Sequence, residues 1–381
     1  MLVGRDTRVS GPALEEALVR GLYQAGADAV SGGVLPTPAV ALLGRDDSGA
    51  VISASHNPPQ YNGVKFFTEG GRKLVDEEEE AIEQLIDEPG KDGGQVYAGL
   101  DVDRQYVDLV CERFGTPLAG LRLVADCANG AMFEVAPAAL ERLGGHVATI
   151  GNEPDGRNIN VGCGATDLSR LRGAVRGGDF DLGVAFDGDG DRMLAVDSAG
   201  TEVDGDQILA VVALHLGVDL VAVTQMTNLG FHRLMEERGV RVVTTDVGDR
   251  YVAEALRREG GILGGEQSGH LIYLRGHTTG DGLVAAMLLC RAIVESGRTL
   301  ADLVAEMPKL PQAKLNVPVR SKEISPALRT EIDALAGAGR VVVRPSGTEP
   351  VVRVLAEAET EEDASDLCAR IAALVSRELG S

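Results

Sequence analysis

The chain is poor in lysine, aromatic residues and cysteine pairs. Only 6 of its 36 basic residues are Lys, and aromatic residues make up 3% of the 381 positions. Against those 36 basic residues stand 58 acidic ones, a formal net charge of −22. So acidic a surface repels nucleic acid and anionic lipid and argues against both as partners. Scarce lysine, abundant Asp and Glu and few aromatics fit either a high-salt cytoplasm or a GC-rich coding sequence. The five cysteines, Cys111, Cys127, Cys163, Cys290 and Cys368, include no C-x-x-C pair and no Cys/His pair at zinc spacing. An odd count without a framework predicts free thiols in a reducing cytoplasm. No apolar run reaches the roughly 18 residues of a membrane helix. The stretch MLVGRDTRVS holds no apolar core of a secretory signal. G-x-G-x-x-G, G-x-x-x-x-G-K-[ST] and G-x-S-x-G are all absent, which removes the usual signatures of dinucleotide sites, nucleotide P-loops and hydrolase elbows.

What is present is a globular composition, 44% hydrophobic and 25% charged, in short apolar strands alternating with amphipathic helices. That alternation predicts an α/β protein. Ser10 and Pro12 open a helix whose Leu14, Leu18, Leu22 and Ala25 share a face. A second helix spans 76–88, capped by Asp76, with Ile82, Leu85 and Ile86 inward, and 89–94 is a loop. Strands are expected at 121–126, 181–186, 193–197 and 219–224, and helices near 133–143, 230–238 and 249–258. Pro308 and Pro311 mark a linker. Beyond it come strands near 314–319, 340–344 and 351–356. A last helix follows, capped by Thr360 and buried through Leu367, Ile371, Leu374 and Val375. The expected domains are 1–115, 116–212 and 213–309, each α/β, and 310–381, a smaller α+β unit.

Four stretches carry chemistry. Ser53-Ala54-Ser55-His56-Asn57-Pro58-Pro59, followed by Lys65, makes a rigid turn that presents a hydroxyl beside an imidazole and near a lysine. It can also be a plain turn. Asp187-Gly188-Asp189-Gly190-Asp191-Arg192 sets three carboxylates at alternate positions, able to converge on one hard cation. An EF-hand fails, because its positions six and twelve hold Arg192 and Ser198. A phosphatase-type D-x-D nucleophile remains a rival. Octahedral oxygen coordination with a substrate phosphate favours magnesium. Gly264-Gly265-Glu266-Gln267-Ser268-Gly269-His270 offers close backbone approach and polar groups suited to sugar hydroxyls. Arg344-Pro345-Ser346-Gly347-Thr348-Glu349-Pro350, leading to Arg353, reads as an anion cradle. Together the four indicate phosphoryl transfer on a phosphosugar.

In this order the motifs resemble the α-D-phosphohexomutase superfamily over essentially the whole chain. VGRDTR at 3–8, LPTPAV at 35–40, DCANGA at 126–131 and NINVGCGATD at 158–167 lean towards its phosphoglucosamine mutase branch. VDGDQIL at 203–209, VGDRYV at 247–252, TTGDGL at 278–283 and RPSGTEPVVRV at 344–354 point the same way. The resemblance implies three similar α/β domains with mixed sheets plus a smaller C-terminal α+β domain around a central cleft. It implies that Ser55 carries a phosphoryl group and that Ser55, Asp187, Asp189 and Asp191 hold one Mg²⁺. Arg192 would steady the reacting phosphoryl group. Glu266 and Ser268 would grip sugar hydroxyls. Arg344, Ser346, Gly347, Thr348 and Arg353 would read the spectator phosphate. Acid–base work would fall to His56, Lys65 or His270. A sugar 1,6-bisphosphate would be both intermediate and activator, and glucosamine 6-phosphate and 1-phosphate the implied pair. Glucose or mannose phosphates, or sugar-phosphate binding without turnover, are the alternatives. A cytoplasmic monomer or homodimer acting on a small phosphosugar is the expected form. The family also implies a segment before the VGRDTR strand, with an arginine that faces the reacting phosphate; this sequence starts directly on that strand.

Overall fold

The computed structural model describes residues 1–85, 93–99, 101–337, 339–346 and 349–380. Two compact units emerge: Met1–Thr224 with Val240–Glu306, and Gln225–Gly239 with the chain from Met307 onward. No described helix is long and apolar enough to cross a membrane.

The larger unit is built on three mixed sheets. The first strands and helices are β1 (Leu2–Arg5), α1 (Gly11–Gln24), β2 (Ala29–Val34), α2 (Thr37–Leu43) and β3 (Gly49–Ile52). β4 (Val64–Thr68), β5 (Arg72–Lys73), α3 (Asp76–Glu83), β6 (Val96–Ala98) and α4 (Val102–Phe114) complete that part. The sheet order is β5-β4-β3-β1-β2-β6, parallel at its centre and antiparallel from β3 to β5. Next come β7 (Arg122–Asp126), α5 (Val135–Arg142), β8 (His146–Ile150), α6 (Ser169–Gly177), β9 (Leu182–Phe186), β10 (Met193–Asp197) and β11 (Glu202–Val203). These strands run β11-β10-β9-β7-β8. The apolar helix α7 (Gly205–Leu216) leads to β12 (Leu220–Thr224). After α8 (Leu229–Glu237), which belongs to the other unit, follow β13 (Arg241–Thr245), α9 (Asp249–Glu259), β14 (Leu263–Gly265), β15 (Leu271–Tyr273), α10 (Gly282–Ser296) and α11 (Leu300–Val304). Their sheet is β13-β12-β14-β15.

The three sheets repeat one scheme. In each, two parallel neighbours flank a first strand, and the second of them turns back into an antiparallel partner: β3 into β4, β9 into β10, β14 into β15. The Ser55, Asp187 and Glu266 loops are those three turns. Each therefore leaves the carboxyl end of a parallel strand, where α/β sheets bind ligands.

The smaller unit holds β16 (Gln312–Pro318), α12 (Pro326–Ala336), β17 (Arg340–Pro345), β18 (Val351–Glu357) and α13 (Glu361–Leu379). Its sheet, β16-β18-β17, is wholly antiparallel. Thr360 caps α13 by accepting from Asp363 N, and Leu367, Ile371, Leu374 and Val375 are buried against Val352 and Val354, as their spacing predicts.

The first-domain helices depart from expectation. Ser10 precedes α1 without a side-chain cap bond, because its Oγ instead accepts from Asn62 Nδ2 at 2.9 Å. Leu14 is exposed, and the buried residues of α1 are Gly11 and Glu15. Asp76 is the first residue of α3, with Val75 at the cap position. Ile82 and Leu85 are exposed. Ile86, and most of the expected 89–94 loop, lie outside the described residues.

Candidate active site

Ser55 sits just past β3 with φ +50°, in the left-handed region that a non-glycine residue enters only under constraint. Its Oγ donates to Asp187 Oδ2 at 2.7 Å and lies 3.3 Å from His56 Nδ1. The hydroxyl predicted from the first loop thus touches the first carboxylate predicted from the second.

Asp187, Asp189 and Asp191 are buried, and one carboxylate oxygen from each falls within 4.8 Å of the others. The loop is pinned from several sides. Ala131 N donates to Gly188 O at 2.8 Å, Thr37 Oγ1 donates to Asp189 Oδ2 at 2.5 Å, and Gly282 N donates to Gly190 O at 3.0 Å. Burial, then Asp191 and Asp189, push the Asp187 carboxyl well above the usual carboxylate range. Burial also opposes charge on Asp191, but Lys65, His270, Lys73 and Arg192 outweigh it and hold that carboxyl below its ordinary value. Asp189 Oδ1 and Asp191 Oδ1 are buried with no hydrogen-bond partner among the described residues. Convergent carboxylates with orphaned oxygens are what a hard divalent cation requires, so the triad fits a metal site.

Cations and imidazoles surround it. Lys65 Nζ lies 2.7 Å from Asp189 Oδ2 and 3.5 Å from Asp191 Oδ2. Burial disfavours its charge, but the two carboxylates prevail and hold the ammonium protonated. Arg192 N donates to Asp187 Oδ1 at 3.2 Å, and its Nε is 3.9 Å from Asp191 Oδ1. His270, 2% exposed, lies between Asp191 Oδ1 at 3.8 Å and Asp249 Oδ2 at 3.3 Å. Asp249 also pairs with Lys73. Glu266, on the turn between β14 and β15, accepts from Gly248 N at 3.2 Å, while Ser268 is exposed.

In the smaller unit, Arg344 and Arg353 are direct cross-strand partners on β17 and β18. Directly opposed residues share a face, so two guanidiniums crowd together. Burial and Arg353 accordingly lower the affinity of Arg344 for its proton. Arg353 Nη2 lies 3.4 Å from Ser346 Oγ, and its Nε is buried with no hydrogen-bond partner among the described residues. Both arginines line a cavity of about 360 Å³ with Lys314 and Asn316. Crowded guanidiniums beside a hydroxyl favour an anion between them. Gly347 and Thr348 lie outside the described residues.

The structure therefore gathers Ser55, His56, Lys65, Asp187, Asp189, Asp191, Arg192 and His270 in the larger unit, and Arg344, Ser346 and Arg353 in the smaller. Sequence reading assigned no role to Thr37, Lys73 or Asp249. Thr37 belongs to LPTPAV and Asp249 to VGDRYV, so both stood inside motifs quoted above; Lys73 carries no local signal.

Comparison with known proteins agrees along the chain. Four stretches match the family described as phosphoglucomutase/phosphomannomutase: alpha/beta/alpha domain I at 1–92, domain II at 104–200, domain III at 204–310 and the C-terminal domain at 289–374. A phosphoglucosamine mutase from Moorella thermoacetica is 46% identical, over 97% of this chain and 88% of its own. Another, from Bacillus subtilis, is 44% identical over 100% and 90%. A solved phosphoglucomutase/phosphomannomutase family protein from Burkholderia thailandensis, 26% identical, superposes with a TM-score of 0.83 over 99% of this chain and 88% of that one. The chain belongs to the phosphoglucomutase/phosphomannomutase family and is an isomerase, a phosphosugar mutase.

Proposed function

We propose that this mutase interconverts glucosamine 6-phosphate and glucosamine 1-phosphate, with Ser55 as the phosphoryl carrier. The contact between Ser55 Oγ and Asp187 Oδ2, 2.7 Å at the mouth of the carboxylate triad, carries the reading. The relatives named phosphoglucosamine mutase, 46% and 44% identical, support the choice of sugar. Asp187, Asp189 and Asp191 would hold one Mg²⁺, and when bound it would supply positive charge to offset that of the transferring phosphoryl group.

The chain's own groups then divide the work. The Ser55 Oγ–P bond breaks as a sugar hydroxyl oxygen bonds to phosphorus, giving the 1,6-bisphosphate. The reverse transfer, from the other end of the sugar, restores Ser55. Three groups competed for the hydroxyl proton. Lys65 is held protonated between two carboxylates and serves as a fixed positive charge. His270 is buried between Asp191 and Asp249. His56 is exposed beside Ser55 Oγ, and burial of part of its ring, with Arg192, pushes its proton affinity down, which favours the neutral form that can accept. His56 takes the proton. Arg192 steadies the phosphoryl oxygens, Glu266 and Ser268 hold the sugar, and the Arg344–Ser346–Arg353 cluster, with Gly347 and Thr348, reads the other phosphate. The five unpaired cysteines, four of them buried, suit a reducing cytoplasm.

A ³¹P NMR time course with Mg²⁺ and each 6-phosphosugar, primed by its 1,6-bisphosphate, tests this. Glucosamine 6-phosphate is expected to convert fastest, and Ser55→Ala to abolish turnover. Full activity in that variant overturns the carrier assignment; preference for glucose or mannose 6-phosphate overturns the sugar.

A further inference from the structure

The strained backbone of Ser55 is held by a closed set of hydrogen bonds in which no reacting atom takes part. Ser55 N donates to Ser53 Oγ at 2.9 Å, and Ser53 Oγ donates to Asp6 Oδ2 at 2.6 Å. Asp6 Oδ2 also accepts from Arg8 Nε at 2.8 Å. Arg8 Nη2 closes the ring by donating to Ser55 O at 2.9 Å, and reaches Asn57 O at 2.8 Å. Its Nη1 donates to Pro58 O at 2.5 Å. Asp6 and Arg8 are both 0% exposed. A buried guanidinium is costly unless its N–H groups are paired, and here three of the five are spent on backbone carbonyls of one loop and a fourth on Asp6.

A second donor reaches the same two carbonyls from the loop that follows β8. Asn160 Nδ2 donates to Ser55 O at 2.9 Å and to Asn57 O at 3.1 Å. Asn160 itself adopts φ +59°, and its N–H donates to Ala128 O at 2.9 Å, which fixes the backbone from which the amide reaches. Gly188 of the carboxylate loop packs into the same spot. A Cβ there would come within 2.6 Å of Ser55 O and 2.8 Å of Asn160 Nδ2. One carbonyl oxygen is thus where the nucleophile loop, the carboxylate loop and the NINVGCGATD segment meet.

Resting on the phosphoserine reading above, we propose that Asn160 and the Arg8–Asp6–Ser53 ring are positioning residues, which lock the Ser55 backbone so that its Oγ faces the carboxylate triad. They act through the Ser55 peptide and touch no substrate. Relaxing φ of Ser55 towards the ordinary region would rotate Oγ away from Asp187. Misplacement of a reacting group by about 1 Å costs on the order of 100-fold in rate.

The test uses Ser53→Ala, Asn160→Ala and Asn160→Asp in the full chain. Ser53→Ala removes the bridging hydroxyl with little change of volume. Asn160→Asp keeps the shape but presents carboxylate oxygens to two carbonyls, so it separates hydrogen bonding from packing. Expected is a kcat lower by roughly 10-fold to 100-fold, with KM within about two-fold, and Asn160→Asp worse than Asn160→Ala. Amide exchange read by mass spectrometry is expected to rise in peptides covering 53–58 and to stay unchanged in peptides from α13. Leu171→Ala, a core change remote from the loop, is the stability control: it lowers the melting temperature without opening 53–58. Wild-type kcat and wild-type exchange in Asn160→Asp overturn the proposal. Should the wild type turn over no phosphosugar, the phosphoserine reading fails, and exchange at 53–58 alone decides the positioning claim.

Discussion

Asp249 shows how one residue can serve site and stability together. Burial raises its carboxyl, but His270 and Lys73 outweigh burial and bring it down from 3.8 to about 2. A folded-state value below the unfolded one means that the unfolded chain binds more protons between them, so this contribution grows with pH. It is fully present above the ordinary value of 3.8 and is lost as pH falls through about 2. The shift corresponds to about 2 kcal/mol. Asp249→Asn is therefore expected to unfold at lower denaturant than the wild type at pH 7, with the gap narrowing as pH falls from 4 towards 2. A gap that holds constant down that series would show that the carboxylate's charge is not what stabilises the junction of Lys73 and His270.

At the scale of elements, α10 carries the burden for the carboxylate loop. Asp281 caps it, accepting from Leu283 N and Val284 N, while its other oxygen takes a bond from Tyr106 of α4 at 2.7 Å and faces His277 Nε2 at 3.0 Å. The capped end then presents Gly282 N to Gly190 O. Asp281→Ala loses the cap and orphans a buried tyrosine hydroxyl, an expected cost of about 2–3 kcal/mol in chemical denaturation. The Mg²⁺ concentration for half-maximal activity is expected to rise with it; stability loss without that rise would detach α10 from the metal loop. Neither α7 nor α10 was assigned from sequence, and the reason is physical. Eleven of the fifteen residues of α10 are buried. A helix covered on all sides carries no one-sided stripe, and its apolar run gives no period to read. α13 was legible because one face meets a sheet and the other meets water. The three Asp converge as their alternate spacing predicts, and Ser55 Oγ meets the first of them. Arg8 and Asn160 stand inside VGRDTR and NINVGCGATD, but no local pattern announces their hydrogen bonds to backbone carbonyls of a loop 47 and 105 residues away.

Across the whole molecule, one strand scheme used three times places three loops at equivalent strand ends, though their sequences share no period. Topology repeats because parallel pairs and one antiparallel return satisfy the backbone whichever side chains fill the core. Side chains at the three turns are then free to differ: a hydroxyl beside an imidazole, three carboxylates, and a Glu-Gln-Ser run. The chain as a whole carries a formal net charge of −22. Its many Arg–Glu and Arg–Asp pairs, such as Arg172–Glu202 and Arg291–Glu295, are largely exposed and contribute little each. Self-repulsion among the surplus carboxylates then dominates the salt response. Screening shortens from about 30 Å at 0.01 M salt to about 3 Å at 1 M. The melting temperature is therefore expected to climb as KCl rises from 0.01 M. If the acidic composition reflects a high-salt cytoplasm, the climb continues beyond 1 M KCl and activity follows it. If it reflects coding bias alone, both level off near the ionic strength of an ordinary cytoplasm, about 0.15 M. A melting temperature that falls with added KCl would mean that the ion pairs outweigh the repulsion, against both readings.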